Sequence, residues 1–494
     1  MVRPVRTFIT IVAIVAVLFV LQADVSAKKK SSKRKAKAAR RAPVVLMTQS
    51  QRNVPVIVTA PVITPSTPSP TANDIVLNMS APGQRTTPSS AGASNNGIST
   101  GDQDGKSMNR WIARPSITTA NELVISEFRV RGPNGANDEF IEIYNRSGAD
   151  HTVAGGGTGY AVAASNGVAR CVIPNGTVIP NRGHYLCVNS VGYSLASYPA
   201  GNGTTATGDA TYTTDIPDNA GIAIFNTSVA GDFTLANRMD AVGSTGEANT
   251  LYKEGTGYPN LTPFSIDYSF YRDDCGKSGS ITTFGACPIS TPKDTDNNAT
   301  DFIFVDTNGT SAGAGQRLGA PGPENLSSPI QRNASFGFNV LDPCVSSASP
   351  PNRVRDFTSD PANNSTFGTL DIRKTVTNNT GADVTRIRWR IIDLTTFPAP
   401  SGIADLRPRT STAVVVTVDR APCGSGTSNV TVQGTTLEQP PSQPNGSGFN
   451  GSLSSGTVTL ATPLANGSSL DVRFLLGIQQ TGSFKFYLNV EALP

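Results

Sequence analysis

The sequence predicts an all-β protein whose folded part is two antiparallel β-sandwiches in tandem. Two observations carry that expectation. Glycine and proline make up 47 and 35 of the 494 residues, enough to cut the chain into short segments bounded by turns. Where apolar residues are dense they alternate with polar ones, the period of a strand, and no segment shows the spacing of an amphipathic helix.

Residues 1–114 stand outside that pattern. Arg3 and Arg6 precede an apolar run from Phe8 to Leu21, and Val25-Ser26-Ala27 supplies the small residues of a cleavage point, so 1–27 reads as a signal peptide. The run falls short of the ~20 residues of a spanning helix, and no integral span is expected after cleavage. Residues 28–41 (KKKSSKRKAKAARR) hold nine Lys and Arg and no acid, whereas the whole chain carries only +4. The basic character is therefore one short tail, suited to an anionic surface and weakened by salt. A competing topology keeps the apolar run as an anchor, because positive charge directly after it resists translocation. Residues 42–114, rich in Pro, Thr and Ser, bury too little apolar surface to offset their ordering entropy and read as a disordered spacer.

Alternation begins at residue 115. A first sandwich is expected over 115–326, with strands at 122–131, 138–145, 159–164, 169–174, 184–189, 220–226 and 301–306. In 138–145, Phe140, Glu142 and Tyr144 share one face, and Ile141 and Ile143 the other. The stretches 192–216 and 274–297 read as loops. A second sandwich is expected over 336–494, with strands at 384–392, 413–418, 458–460, 470–478 and 484–491. There Ile387, Trp389 and Ile391 oppose Arg386, Arg388 and Arg390. Phe484, Phe486, Leu488 and Val490 likewise oppose Lys485, Tyr487, Asn489 and Glu491.

Leu123-Val124-Ile125-Ser126-Glu127, a Gly/Asn turn, and Asp138-Glu139-Phe140-Ile141-Glu142-Ile143-Tyr144-Asn145 together resemble the opening of a lamin-tail domain, a strand ending in Ser-Glu followed by E-F-I-E-L-x-N. Residues 218–225 (DNAGIAIF) with 239–243 (MDAVG), and 298–304 (NATDFIF) with 319–322 (GAPG), resemble its later strands. The resemblance covers about 116–325 and implies an immunoglobulin-like sandwich used for recognition, as in exported bacterial members of the family. The heptads of a filament rod are absent. Residues 336–494 are similar to accessory β-sandwich domains of exported proteins, and by that likeness are also immunoglobulin-like.

Six cysteines form three sequence-local pairs. In an exported chain the simplest of the fifteen pairings joins Cys171 to Cys187, Cys275 to Cys287 and Cys344 to Cys423. No C-x-x-C spacing suggests zinc. Asp294, Asp296, Asn298 and Asp301 alternate oxygen donors as a calcium loop does, although Ala299 and Val305 replace the Gly and Glu of an EF-hand. No other cofactor is expected. Arg386, Arg388 and Arg390 form a stripe able to meet an anionic polysaccharide, or else a solvated strand face. Glu127, Glu139 and Glu142 are imaginable as paired glycosidase carboxylates, but a sandwich face offers no deep pocket, and strand edges and turn caps explain them better. His151 and His184 have no partner constellation. The G-x-S-x-G matches at 97–101 and 309–313 lack the strand-to-helix turn of a nucleophile elbow.

The resulting expectation is a secreted, cell-surface or periplasmic protein that is not an enzyme. It would recognise protein or polysaccharide at the cell envelope through loops and sheet faces, and no interior cleft would be given to reactive groups. The alternatives are an exported hydrolase with a carboxylate site, or an anchored protein binding nucleic acid through its basic tail, the least favoured partner.

Overall fold

The computed structural model describes residues 122–260, 266–275, 292–308, 317–396, 404–420, 422–442, 444–455 and 462–493. The signal segment, basic tail, spacer, both G-x-S-x-G matches, Cys287 and the strand expected at 458–460 lie outside them. The fold is all-β, with one α-helical turn at Asn298–Asp301 among the described residues. No described helix is long and apolar enough to cross a membrane.

The first sandwich places Leu123–Arg129 at the centre of a seven-stranded sheet, between Phe140–Asn145 and Tyr268–Arg272. Its second sheet runs Arg238–Val242, Ile222–Phe225, Gly159–Ala164, Ala169–Pro174. Alternation accounts for the packing: Leu123, Ile125, Ile141 and Ile143 share a core with Val162, Ile173, Ile222 and Ile224 of the other sheet. Cys171–Cys187 ties the two sheets together inside that core. Two short pairings are parallel, joining His184–Asn189 to Ala210–Tyr212 and Phe302–Asp306 to Arg317–Leu318. Ala210–Tyr212 falls in a stretch expected to be loop, and it extends the sheet edge instead.

The second sandwich has one sheet ordered Ile330–Gln331, Phe486–Leu493, Arg386–Leu394, Ser452–Ser455, Thr435–Leu437. The other is ordered Phe336–Val340, Thr369–Asn378, Ser469–Gln480, Asp405–Arg409, with Arg353–Asp356 also on Thr369–Asn378. Trp389, Phe474 and Phe486 stack edge-to-face in its core, and the buried Trp389 Nε1 donates to Ser455 Oγ at 2.9 Å. This sheet begins at Ile330, ahead of the expected start at 336, because Ile330–Gln331 pairs with the final strand. Cys344–Cys423 holds the hairpin of Val414–Asp419 and Thr427–Val432 against the body. Cys275 is also disulfide-bonded.

Phe140–Asn145 and Arg386–Leu394 are buried almost throughout, on both faces. A strand on a free sandwich leaves alternate residues open to water. Here the outer, polar faces of the two sandwiches are covered by each other.

Candidate functional site: a buried charged layer between the sandwiches

The pairing of Leu123–Arg129 with Phe140–Asn145 slips at Ser126, and this bulge sets Glu127 directly across from Glu142. Two carboxylates opposed on neighbouring strands repel, and both are buried. On the second sandwich Arg388 lies across from Glu491 and Arg390 across from Asn489. Gly322 and Glu324 bridge the two faces.

Arg388 Nε donates to Glu491 Oε2 at 2.7 Å and its Nη2 pairs with Glu324 Oε1. Arg390 Nε lies 3.2 Å from Glu491 Oε1, and Nη2 lies 3.1 Å from Glu324 Oε2. Arg390 Nη1 donates to the carbonyls of Gly322 at 3.2 Å and Asn450 at 2.9 Å. Any side chain at position 322 would run into that guanidinium, so only glycine allows the approach. Glu127 accepts from Gly322 N at 2.9 Å and Asn450 Nδ2 at 2.7 Å. Glu142 accepts from Ser126 Oγ at 2.5 Å and Glu324 N at 2.6 Å. Asn489 Nδ2 donates to Asp274 at 3.1 Å, and Gln439 Nε2 to the Pro199 carbonyl at 2.9 Å.

Burial raises the pKa of Glu127, and raises that of Glu142 well above the usual carboxylate range, the charge of Glu127 adding to the second. Burial, then Arg390 and Arg388, hold His184 well below its ordinary value, so it is neutral. His184 Nε2 lies 3.3 Å from Glu324 Oε2 and 3.7 Å from Glu142 Oε1. A cavity of about 50 Å³ remains, lined by Glu127, Glu142, His184, Tyr271, Glu324 and Arg390 among others. That is room for a few waters and too small for a sugar ring.

The expectation that no interior space is given to ionisable groups is therefore corrected, as is the absence of a constellation around His184. Acids, arginines and a histidine do converge, because the two polar sheet faces are complementary in charge. All four oxygens of Glu127 and Glu142 accept hydrogen bonds from the chain. Glu142, His184 and Glu324 each offer a ligand atom within 4.8 Å of the others, but both Glu324 oxygens already face guanidinium groups.

The remaining sequence candidates scatter. Arg388 and Arg390 are not a solvated stripe: they are 0% and 3% exposed, and only Arg386 keeps appreciable access to water. Glu139 lies apart from the layer, accepting from Ile216 N at 2.6 Å and Asn189 Nδ2 at 2.8 Å, and burial pushes it up to about 8. His151 meets Glu122 at 3.0 Å and Tyr160 at 3.2 Å. The four expected calcium ligands do not converge on a point. Asp294 pairs with Arg146 at 2.6 Å, and Asp301 accepts from Thr295 N at 2.9 Å and Thr295 Oγ1 at 2.7 Å. The Asn298 side chain ties down the backbones of Ala241, Gly243 and Glu254, and Asp296 is exposed. Sequence reasoning missed Glu324, Glu491 and Asn450. For Glu491 the signal was its place on a strand face opposite in charge to that of Arg388 and Arg390, whereas Glu324 and Asn450 lie outside strands and carried none.

By fold the chain is a two-sandwich, all-β protein. Comparison with models of known families, with curated proteins and with solved structures returned no match to it.

Proposed function

We propose that the chain is an exported, non-catalytic recognition protein of the cell envelope, in which the buried charged layer locks two sandwiches into one rigid presenter. The observation that carries this reading is the occupancy of the layer: its carboxylates are bonded by the chain's own donors around a cavity of about 50 Å³. The disulfides Cys171–Cys187 and Cys344–Cys423 suit an oxidising compartment. The lamin-tail resemblance supports a recognition role, the 28–41 tail an anionic surface, and the spacer reach. Outward-facing Phe357 and Phe367 offer contact area for a polysaccharide or protein, at 79% and 49% exposure, with Arg355 4.4 Å from the Phe357 ring centroid.

The test applies the full exported chain to arrays of envelope polysaccharides and proteins. Binding should survive Glu127→Gln and weaken in Phe357→Ala. Hydrolysis of any arrayed glycan, lost in Glu127→Gln or Glu142→Gln with the fold kept, replaces this reading with the hydrolase. Protease added to whole cells should digest 115–494; protection would favour the anchored, cytoplasmic alternative.

A further inference from the structure

A second group of buried acids lies in the first sandwich, away from the charged layer. Asp240 stands on the edge strand Arg238–Val242, Glu254 follows the short turn Thr250–Tyr252, and Asp294 precedes the helical turn Asn298–Asp301. Their side chains are 1%, 6% and 3% exposed, and one oxygen of each lies within 4.8 Å of the other two.

Arginines satisfy only part of this group. Asp240 Oδ2 accepts from Ile125 N at 2.6 Å and Arg272 Nη2 at 2.7 Å. Glu254 Oε1 meets Arg238 at 3.3 Å, and Asp294 Oδ2 meets Arg146 at 2.6 Å. The second oxygens differ. Asp240 Oδ1 and Glu254 Oε2 are both buried and accept no hydrogen bond among the described residues, a costly state for a carboxylate. With Asp301 the group gathers four acids around Arg146, Arg238 and Arg272.

Three oxygens from three separate segments, with no nitrogen or sulfur donor, suit a hard cation. Two ligands of one calcium ion lie at most about 4.8 Å apart, twice a typical Ca–O distance of about 2.4 Å, and this spacing is met. We propose that Asp240, Glu254 and Asp294 bind one calcium ion, pinning the edge of the four-stranded sheet to the two loops beside it. The site shares Asp294 with the loop singled out from sequence but takes its other ligands from elsewhere, and Asp296 is no part of it.

The test uses the full chain, stripped with chelator and titrated with calcium chloride. One ion should bind per chain, with a dissociation constant on the order of 10⁻⁴ M, as in other extracellular modules. At 10 mM calcium the thermal midpoint should rise by about 5 °C. Glu254→Gln should weaken binding at least tenfold, and Asp296→Asn should leave it unchanged. Hydrogen exchange on the wild type locates the ion without any variant: calcium should slow exchange in 238–242 and 253–256. Absence of binding at 10 mM, protection only elsewhere, or loss of binding in Asp296→Asn with retention in Glu254→Gln would overturn the proposal.

Discussion

Glu491→Gln isolates the contribution of the charged layer, because this one carboxylate serves both arginines. Its two oxygens lie 2.7 Å from Arg388 Nε and 3.2 Å from Arg390 Nε, and the side chain is 5% exposed. Glutamine keeps the volume but removes the charge, leaving two buried guanidinium groups to share Glu324 as their remaining direct ion partner. Breaking a buried pair by removing one partner costs about 3–5 kcal/mol, whereas an exposed pair is worth about 1 kcal/mol or less. With about 2–4 °C per kcal/mol for large domains, the thermal midpoint should fall by on the order of 10 °C. The assay is thermal and urea unfolding with disulfides intact, followed by tryptophan fluorescence, since Trp389 is fully buried on the strand that carries Arg388 and Arg390. Arg420→Gln is the control, since its pair with Asp471 leaves the arginine 40% exposed, and it should cost no more than about 1 kcal/mol. A loss in Glu491→Gln as small as the control's would refute the reasoning.

Other consequences concern single groups. Glu139 has its pKa raised to about 8 by burial. Its stabilising contribution is full below the unfolded value and is lost as pH rises through about 8, so wild-type stability should fall by about 3 kcal/mol relative to Glu139→Gln between pH 5 and 8. Parallel pH profiles of the two proteins would contradict this. Replacing Cys344 and Cys423 by alanine opens a link between residues 79 apart and should cost about 4 kcal/mol. Hydrogen exchange should show Val414–Asp419 and Thr427–Val432 loosening first, and uniform loosening would contradict the local role of the bond. Gly322→Ala should destabilise by about 3 kcal/mol or more, because its Cβ collides with the Arg390 guanidinium; a neutral result in chemical denaturation counts against that packing.

Much of the strand pattern was legible because period-two alternation is a local property. Gly159–Ala164, Ala169–Pro174 and His184–Asn189 form where turns and alternation place them. Thr369–Asn378 escaped notice: its core residues Leu370, Ile372 and Val376 are diluted by Thr, Asp, Arg and Lys that a strand tolerates on its other face. The candidate site was legible only in pieces. Glu127, Glu142, His184, Arg388 and Arg390 each stood out, but a polar strand face carries no mark of whether water or another sheet covers it. The bulge at Ser126 depends on pairing with a distant strand, and Gly322 and Glu324 lie in a stretch that reads as an exit loop. Composition could not show that this loop bridges two sheets.

Carboxyl footprinting of the native full chain tests the central claim most directly. A carbodiimide and an amine nucleophile, with mass spectrometry of the digested protein, report each acid's access to solvent. The account predicts that Glu127, Glu142, Glu324 and Glu491 remain unlabelled while exposed Asp232 and Asp296 are modified. Labelling of Glu324 and Glu491 at the rate of Asp296 would mean that the two polar faces are open to water and the sandwiches are not locked together.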